Sequence, residues 1–326
     1  MNEQFNITVA VPTYNGASRL PKLLESLQKQ TGVENICWEI IIVDNNSNDN
    51  TNEVIKKYQF SWDNSYPLIY YLETKQGAAY ARLLAVKKAR GKIVAFLDDD
   101  NIPATDWLIQ SYKFGQEHPK AGAWSGQIHG DFEVQPPKKF GQIQNFLAIR
   151  EHGDNPYIFD AENLRLPPAA ALVIRKKAWE ENVPCSPTLT GKLPGLFIQG
   201  DDYEPLLYIY RGKWEIWYNP KMHSYHQIPA WRLEKKYLLI LATGCGLSTF
   251  QLRIINSPTW KIPFIFIKTI LSNLKRVISH IIIYKSYLKE DFIPLFEIKF
   301  YFASMMSPLC SINLYLRRMH NKINAN

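Results

Sequence analysis

Short apolar runs and one-sided helical patterns alternate through the first half of the chain. "ITVAV" (residues 7–11) has the continuous hydrophobicity of a buried strand. After it, Leu20, Leu23, Leu24 and Leu27 recur at one-face spacing, which predicts a helix over residues 19–30 with Ser18 in the N-cap position. "EIIIVD", "LIYYLE" and "KIVAFLDDD" read as three further strands, and "GAAYARLLAVKKAR" before the last of them reads as a helix ended by Gly91. Lys87, Lys88 and Arg90 fall on the solvated face of that helix. This order predicts an α/β fold, a mainly parallel sheet covered by helices on both faces. Shorter strands are expected at "AGAWSGQI", "AAALVIR" and "WEIWYNP". The pattern changes near Trp231, which divides the chain into residues 1–230 and a helical region over 231–326.

Polar residues collect where such a sheet binds ligands, at the carboxyl ends of its strands. "PTYN" follows the first strand, Asp44 ends the second, and Asp98, Asp99 and Asp100 end the strand after Gly91. Three adjacent carboxylates repel one another unless a positive group neutralises them. A hard divalent ion, Mg²⁺ or Mn²⁺, bridging carboxylate and diphosphate oxygens would do so. An acidic cap on the following helix is the alternative reading.

Of the 326 residues 46% are hydrophobic and 21% charged, the composition of an ordinary folded protein. The formal charge of +8 is unevenly placed: from Trp231 onward there are 14 Lys+Arg against 4 Asp+Glu, and before it 24 against 26. The basic third is also rich in Ile, Leu, Phe and Tyr. No window is expected to reach the roughly 20 uninterrupted apolar residues of a spanning helix; the longest charge-free stretches, 237–251 and 300–316, are shorter and contain Gly, Ser, Thr, Pro or Asn. Such a basic, amphipathic region suits the surface of an anionic bilayer, or else a helical subdomain with solvated basic faces. "MNEQFNITVAVPTYN" has neither the basic nor the apolar region of a signal peptide. Cys37, Cys185, Cys245 and Cys310 are far apart and read as reduced thiols of a cytoplasmic protein, peripheral on the inner face of the cell membrane.

Four segments, "VAVPTYNGASRL", "EIIIVDNNSNDNT", "KQGAAYARLLAVKKARGKIVAFLDDDN" and "GDDYEPLLYIYRGKWEIWYNPKMHSYHQIP", resemble in order and spacing the family 2 glycosyltransferases of GT-A fold, over about residues 5–230. Within that family the chain is similar to bacterial exopolysaccharide transferases, including the cyanobacterial hormogonium polysaccharide transferases. The resemblance implies an inverting transfer of a sugar from a nucleotide diphosphate, with UDP the commonest nucleotide, to a glycan or lipid-linked acceptor. Pro12, Thr13 and Tyr14 would line the nucleotide pocket, and Asp44 would accept a hydrogen bond from the base, with a turn-capping role as its alternative. Gly77 would allow close backbone approach and Arg82 would face the diphosphate; family members commonly have Asn where Lys75 or Gln76 stands. Asp98 would contact ribose or metal, Asp100 would ligate the metal, and Asp99 stands between them. In "GDDYE", Asp201 replaces the family's Glu, and Asp202 falls on the catalytic base.

Glu204 and Arg211 would orient that region or form a local ion pair. His226 would contact diphosphate or metal, or sit in the core. The segment 165–179 would form an acceptor-side wall, with Ala169–Ala171 where relatives often have Gly. Trp124, Trp179, Trp214, Trp217 and Trp231 could stack on sugars, although tryptophan more often packs in a core.

Three rivals are weaker. A dinucleotide oxidoreductase needs a Gly-X-Gly-X-X-Gly turn where "PTYNGAS" stands, and a sugar-nucleotide pyrophosphorylase needs a Gly-rich basic loop there. A membrane-associated, non-catalytic scaffold of a polysaccharide-assembly complex would not require the acidic motifs. Nucleic-acid binding is not expected, because the first two-thirds is slightly acidic and the basic tail lacks a known module.

Overall fold

The computed structural model describes residues 5–62, 65–193, 196–285 and 291–323. In chain order the elements are β1 (Ile7–Thr13), α1 (Leu20–Gln28), β2 (Trp38–Asp44), α2 (Thr51–Ser61), β3 (Leu68–Leu72), α3 (Ala78–Lys88), β4 (Ile93–Phe96), β5 (Asn101–Pro103), α4 (Trp107–Glu117) and β6 (Ala121–Phe132). They continue with β7 (Tyr157–Ile158), β8 (Leu172–Arg175), α5 (Lys176–Asn182), β9 (Lys192–Leu193), β10 (Leu196–Phe197), α6 (Tyr203–Arg211), β11 (Glu215–Ile228), α7 (Lys235–Ile255), α8 (Ile262–Tyr284) and α9 (Phe292–Ile323).

The chain forms two compact units. The first comprises Met1–Gln135, Leu147–Thr190 and Asp201–Pro229; the second comprises Pro136–Phe146, Gly191–Gly200 and Ala230–Asn326. A single cut at residue 230 therefore misses two short excursions, which carry too little periodic pattern to be assigned from sequence.

The first unit is built on one sheet with strand order β3-β2-β1-β4-β8-β6-β11-β5, with β7 joined to β11. From β3 to β4 all neighbours are parallel; β8 runs antiparallel between β4 and β6, and β6 is parallel to β11. Every residue of β2 is buried, as expected of a central strand covered on both faces. The register pairs Thr13 with Asp44 and Ala10 with Phe96, so the chain leaves β1, β2 and β4 at the same edge of the sheet.

Helix α1 buries Leu20, Leu23, Leu24 and Leu27, the face expected from its spacing. Ser18 does not cap it. The backbone N–H groups of Arg19 and Leu20 donate to the Gly16 carbonyl, each at 3.0 Å, so a turn upstream already satisfies the helix start. Trp124 and Trp179 are core side chains, whereas Trp231 is half exposed. Arg90 is not simply solvated. Its Nε donates to Glu39 Oε2 at 2.6 Å, and Glu39, on a central strand, has no exposed surface. Thr8 Oγ1 and the Arg90 backbone N–H complete that carboxylate's shell, both at 2.8 Å.

In the second unit β9 and β10 form a short antiparallel pair, and α7 and α8 each pack against α9. Close approach depends on small residues: a side chain at Gly246 would come within 2.6 Å of Ala303 Cβ. The expectation that no segment reaches spanning length needs correcting for α7. Its 21 residues include a stretch of mean hydropathy 1.6, long and apolar enough to cross a membrane by length and composition; half of that stretch is buried within the protein. The sequence count missed it because it demanded an unbroken apolar run, whereas polar residues such as Thr243 and Ser248 bond back to their own helix. No disulfide joins the described cysteines.

Removing the guanidinium from Glu39 would leave a buried carboxylate without its cation. Arg90→Met is expected to lower unfolding free energy by about 3 kcal/mol at pH 7, read from urea denaturation. A loss below about 1 kcal/mol would show that solvent screens the pair.

Candidate active site

The three successive aspartates after β4 do not face the same way. Asp99 turns into the protein, where Thr13 Oγ1 donates to its Oδ2 at 2.5 Å and Arg19 donates from Nε to Oδ1 and from Nη2 to Oδ2, both at 2.8 Å. Burial pushes the Asp99 carboxyl up, opposed by Arg19. The same Arg19 Nη2 reaches the Tyr14 carbonyl at 3.1 Å, so one guanidinium ties the loop after β1 to the loop after β4. Gly16 makes room for this latch: a Cβ there would lie 2.0 Å from Thr13 Oγ1 and 2.7 Å from Asp99 Oδ2. Thr13 and Asp99 thus hold the site's walls together. Arg19 and Gly16 were not singled out from sequence. Their only signal was an Arg and a Gly in the turn that leads from the first strand toward an acidic cluster.

Asp98 and Asp100 flank that inward residue. The turn carrying them is closed by Asn101 N–H donating to the Asp98 carbonyl at 2.9 Å, and the Asp98 N–H donates to the Ala170 carbonyl at 3.0 Å. The segment around Ala169–Ala171, expected as an acceptor-side wall, is buried and braces the aspartates from behind. Asp98 keeps 37% of its side chain exposed. Partial burial raises its pKa against the pull of Arg82, and Asp100 adds to the rise.

His226 lies 3.5 Å from Asp100, Nε2 to Oδ2. Its Nδ1 is 2.8 Å from the Leu147 carbonyl, and since a carbonyl can only accept, Nδ1 carries the proton and donates. In the neutral ring Nε2 is then an acceptor facing a carboxylate, a repulsive pair unless a proton or a cation lies between them. A backbone carbonyl behind one ring nitrogen is also how metal-binding histidines are commonly oriented. Among the described residues no three His, Cys, Asp or Glu side chains form a ready-made metal cage. Asp100 and His226, with Asp98 close by, nevertheless fit an ion that takes its remaining ligands from phosphate and water, as Mg²⁺ and Mn²⁺ commonly do.

The second acidic group enters from the start of α6. Arg82, on α3, donates from Nη1 to Asp201 Oδ2 at 2.7 Å and lies 3.5 Å from Asp98 Oδ1 through Nη2. Burial opposes the charge on this guanidinium, but Asp201 and Asp98 outweigh it and raise its pKa. Arg82, expected to face the diphosphate, has a side chain that is 8% exposed and engaged by two carboxylates. Asp201 is correspondingly held in an ion pair.

Asp202 differs. Its Oδ1 accepts the N–H of Tyr203 at 3.0 Å as it caps α6, and burial together with Asp201 raises its pKa to about 6. Glu204 accepts the backbone N–H groups of Thr188 and Leu189 at 2.6 to 2.9 Å, fixing the preceding loop.

On the β2 side, Asp44 accepts from Ser47 N–H at 2.9 Å and from the Tyr70 hydroxyl at 3.0 Å. Burial and this bond raise the Tyr70 pKa to about 12. Turn capping is therefore a real function of Asp44, which leaves only 3% of its surface exposed. Asn45, next to it and overlooked in the sequence, accepts the Gly77 N–H at 2.7 Å and donates to the Lys75 carbonyl at 2.8 Å. Gly77 has φ 133° and a Cβ would strike the Thr190 carbonyl at 2.7 Å, so glycine is required there by the backbone itself. Its N–H is already used. Tyr14 is 43% exposed at the rim, beside the partly covered Pro12. His223 pairs with His129 at 3.0 Å, Nδ1 to Nε2.

Residues 8–179 match the family model described as Glycosyl transferase family 2. The chain is 34% identical over 102 residues to the glycosyltransferase AglE of Haloferax volcanii (31% of this chain, 33% of the relative). It is 35% identical over 100 residues to the UDP-Glc:alpha-D-GlcNAc-diphosphoundecaprenol beta-1,3-glucosyltransferase WfgD of Escherichia coli (31% and 37%). These alignments span less than half the length of either relative. Among solved structures, the mannosyltransferase PcManGT of Pyrobaculum calidifontis, in complex with GDP-Man and Mn²⁺, superposes with a TM-score of 0.58 at 18% identity, over 94% of this chain and 88% of that one.

The raised Asp202 pKa has a measurable cost. Its folded value of about 6 lies above the ordinary carboxylate value of 3.8, so ionisation opposes folding progressively between those values and fully above them. Asp202→Asn is expected to stabilise the protein by roughly 3 kcal/mol at pH 8, with the gain shrinking toward zero near pH 4. Equal stability of the two proteins at pH 8 would show that Asp202 ionises without penalty.

Proposed function

Since the chain belongs to glycosyl transferase family 2, whose GT-A fold it has, we propose that it is an inverting, divalent-metal-dependent transferase. It moves a sugar from a nucleotide diphosphate, UDP in the first instance, to a glycan or lipid-linked acceptor in polysaccharide biosynthesis. The observation that carries this reading is the unequal treatment of the carboxylates around Arg82. Asp201 is neutralised by the guanidinium, whereas Asp202 keeps a raised proton affinity.

Asp202 accepts the proton of the acceptor hydroxyl as that oxygen attacks C1 of the sugar. With a pKa of about 6 it is ionised at neutral pH yet more basic than an ordinary carboxylate, which suits a general base. Attack opposite the departing diphosphate inverts the anomeric centre. Asp100 and His226, with Asp98, would hold Mg²⁺ or Mn²⁺, which when bound supplies positive charge to the leaving diphosphate. Tyr14, exposed at the rim, offers its ring to the base. Asp44 receives the base through its remaining lone pairs, the Ser47 and Tyr70 bonds fixing its orientation.

The relatives support the finer parts of this reading. WfgD is named for a UDP-glucose donor and a diphosphoundecaprenol acceptor, and PcManGT is described with Mn²⁺. Four cysteines outside any disulfide suit a cytoplasmic location, and the basic C-terminal third suits attachment to the inner face of the membrane.

Calorimetric titration of UDP and of GDP, with and without Mn²⁺, is expected to show metal-dependent binding of one of them, weakened at least tenfold by Asp100→Ala. Absence of binding by either nucleotide to the folded protein would overturn the assignment. With a donor in hand, kcat/KM should fall below an apparent pKa near 6. Asp202→Asn should reduce turnover by about 10²–10⁴-fold while leaving nucleotide affinity intact; a variant that loses affinity and keeps turnover would move the base elsewhere.

A further inference from the structure

Helix α8 is built inside out. Its buried line is Thr269, Asn273 and Val277, two polar residues of three, while large apolar side chains face solvent: Phe264 is 68% exposed, Leu271 59% and Ile282 71%. The Asn273 amide satisfies itself by donating to the Thr269 carbonyl at 2.8 Å within the helix. Helix α9, against which α8 packs, buries Ile293 and Phe296 near its start, but farther along it buries Ala303, Ser304, Ser307 and Ser311 and exposes Phe302, Leu309 and Ile312. A helix in water places its apolar stripe inward. Small and polar residues inside with aliphatic residues outside is the distribution found where the surroundings are lipid.

Helical geometry sharpens this. At 100° per residue, Phe264, Ile267, Leu271, Leu274, Ile278 and Ile282 fall within a sector of roughly 80°. Lys261, Lys268 and Lys275 fall together in the adjoining sector of roughly 40°, along one border of the stripe. Trp260, 67% exposed, stands just before the helix beside Lys261, whose Nζ lies 5.2 Å from its ring centroid. Tryptophan and lysine at the border of an aliphatic stripe are the side chains that seat a helix at headgroup depth.

We propose that the exposed face of α8 is a docking surface for an anionic lipid bilayer. The helix lies in the plane of the interface, its aliphatic stripe among the acyl chains and Lys261, Lys268 and Lys275 on the lipid phosphates. This deepens the membrane attachment proposed above by naming its surface, and it is independent of the catalytic assignment, which nucleotide binding reads separately.

The test is co-sedimentation of the full chain with vesicles of pure phosphatidylcholine or of phosphatidylcholine with phosphatidylglycerol. Wild type should bind the anionic vesicles at least tenfold more tightly. Ile267→Glu/Leu271→Glu/Ile278→Glu should weaken that binding about a hundredfold with nucleotide binding unchanged. The milder Lys261→Gln/Lys268→Gln/Lys275→Gln should weaken it at least tenfold and remove the preference for anionic lipid. Should the glutamate variant lose its helical circular dichroism, the glutamine variant and quenching of Trp260 by brominated lipid, measured against Trp260→Phe, decide the matter. Unchanged vesicle binding in the variants would overturn the proposal, as would no quenching at Trp260. So would a wild-type dimer that ignores vesicles and is split by the glutamate substitutions, which would assign the face to a second copy of the chain.

Discussion

A single buried guanidinium, that of Arg82, sets the electrostatics of the catalytic unit. It stands between Asp201, at the start of α6, and Asp98, after β4, residues that lie far apart along the chain. Without a cation these acids could not share a buried region, because mutual repulsion and lost hydration would each favour their neutral forms. With it, the negative charges are graded. Asp201 is paired closely, Asp98 more distantly, and Asp202 is left with a proton affinity raised by burial and by Asp201 against the weaker pull of Arg82. A graded set of carboxylates can divide labour, one accepting a proton while others face a metal and its phosphate.

The same economy governs the rest of the site. Arg19 does for the loops after β1 and β4 what Arg82 does for Asp98 and Asp201. Asn45 fixes the Lys75 to Gly77 turn that starts α3, and Glu204 fixes residues 188 and 189. Each brace is a buried or partly buried polar side chain whose hydrogen bonds are made to backbone or to an opposite charge, so its position is determined before any ligand arrives. That is the requirement for electrostatic preorganisation.

The strands and helices of the catalytic unit were legible because their periodicities are strong. Seven buried residues in β2 and four leucines on one face of α1 leave little ambiguity. The acidic motifs were legible because so many carboxylates together require an explanation. The direction in which each side chain points was not legible. "DDD" does not say that its middle member turns inward toward Thr13 and Arg19, and Arg82 reads equally well as a ligand for phosphate or for Asp201. Such choices are made by three-dimensional neighbours from segments 80 or more residues away. The antiparallel insertion of β8 was hidden for a related reason, since an apolar run fixes a strand but not its direction.

The turn from Asp98 to Asn101 carries one more implication, for how the gene can change. Its carbonyl-to-amide closure spans a fixed number of residues, and which aspartate meets which partner depends on that count. Side-chain substitutions within the turn would be graded in effect. Inserting or deleting one residue between Phe96 and Asn101 would reassign which acid meets Arg19 and which meets His226, and it would break the pairing of β5 with β11 next to it. Drift in this lineage should therefore accumulate as substitutions, with the length of that loop held constant.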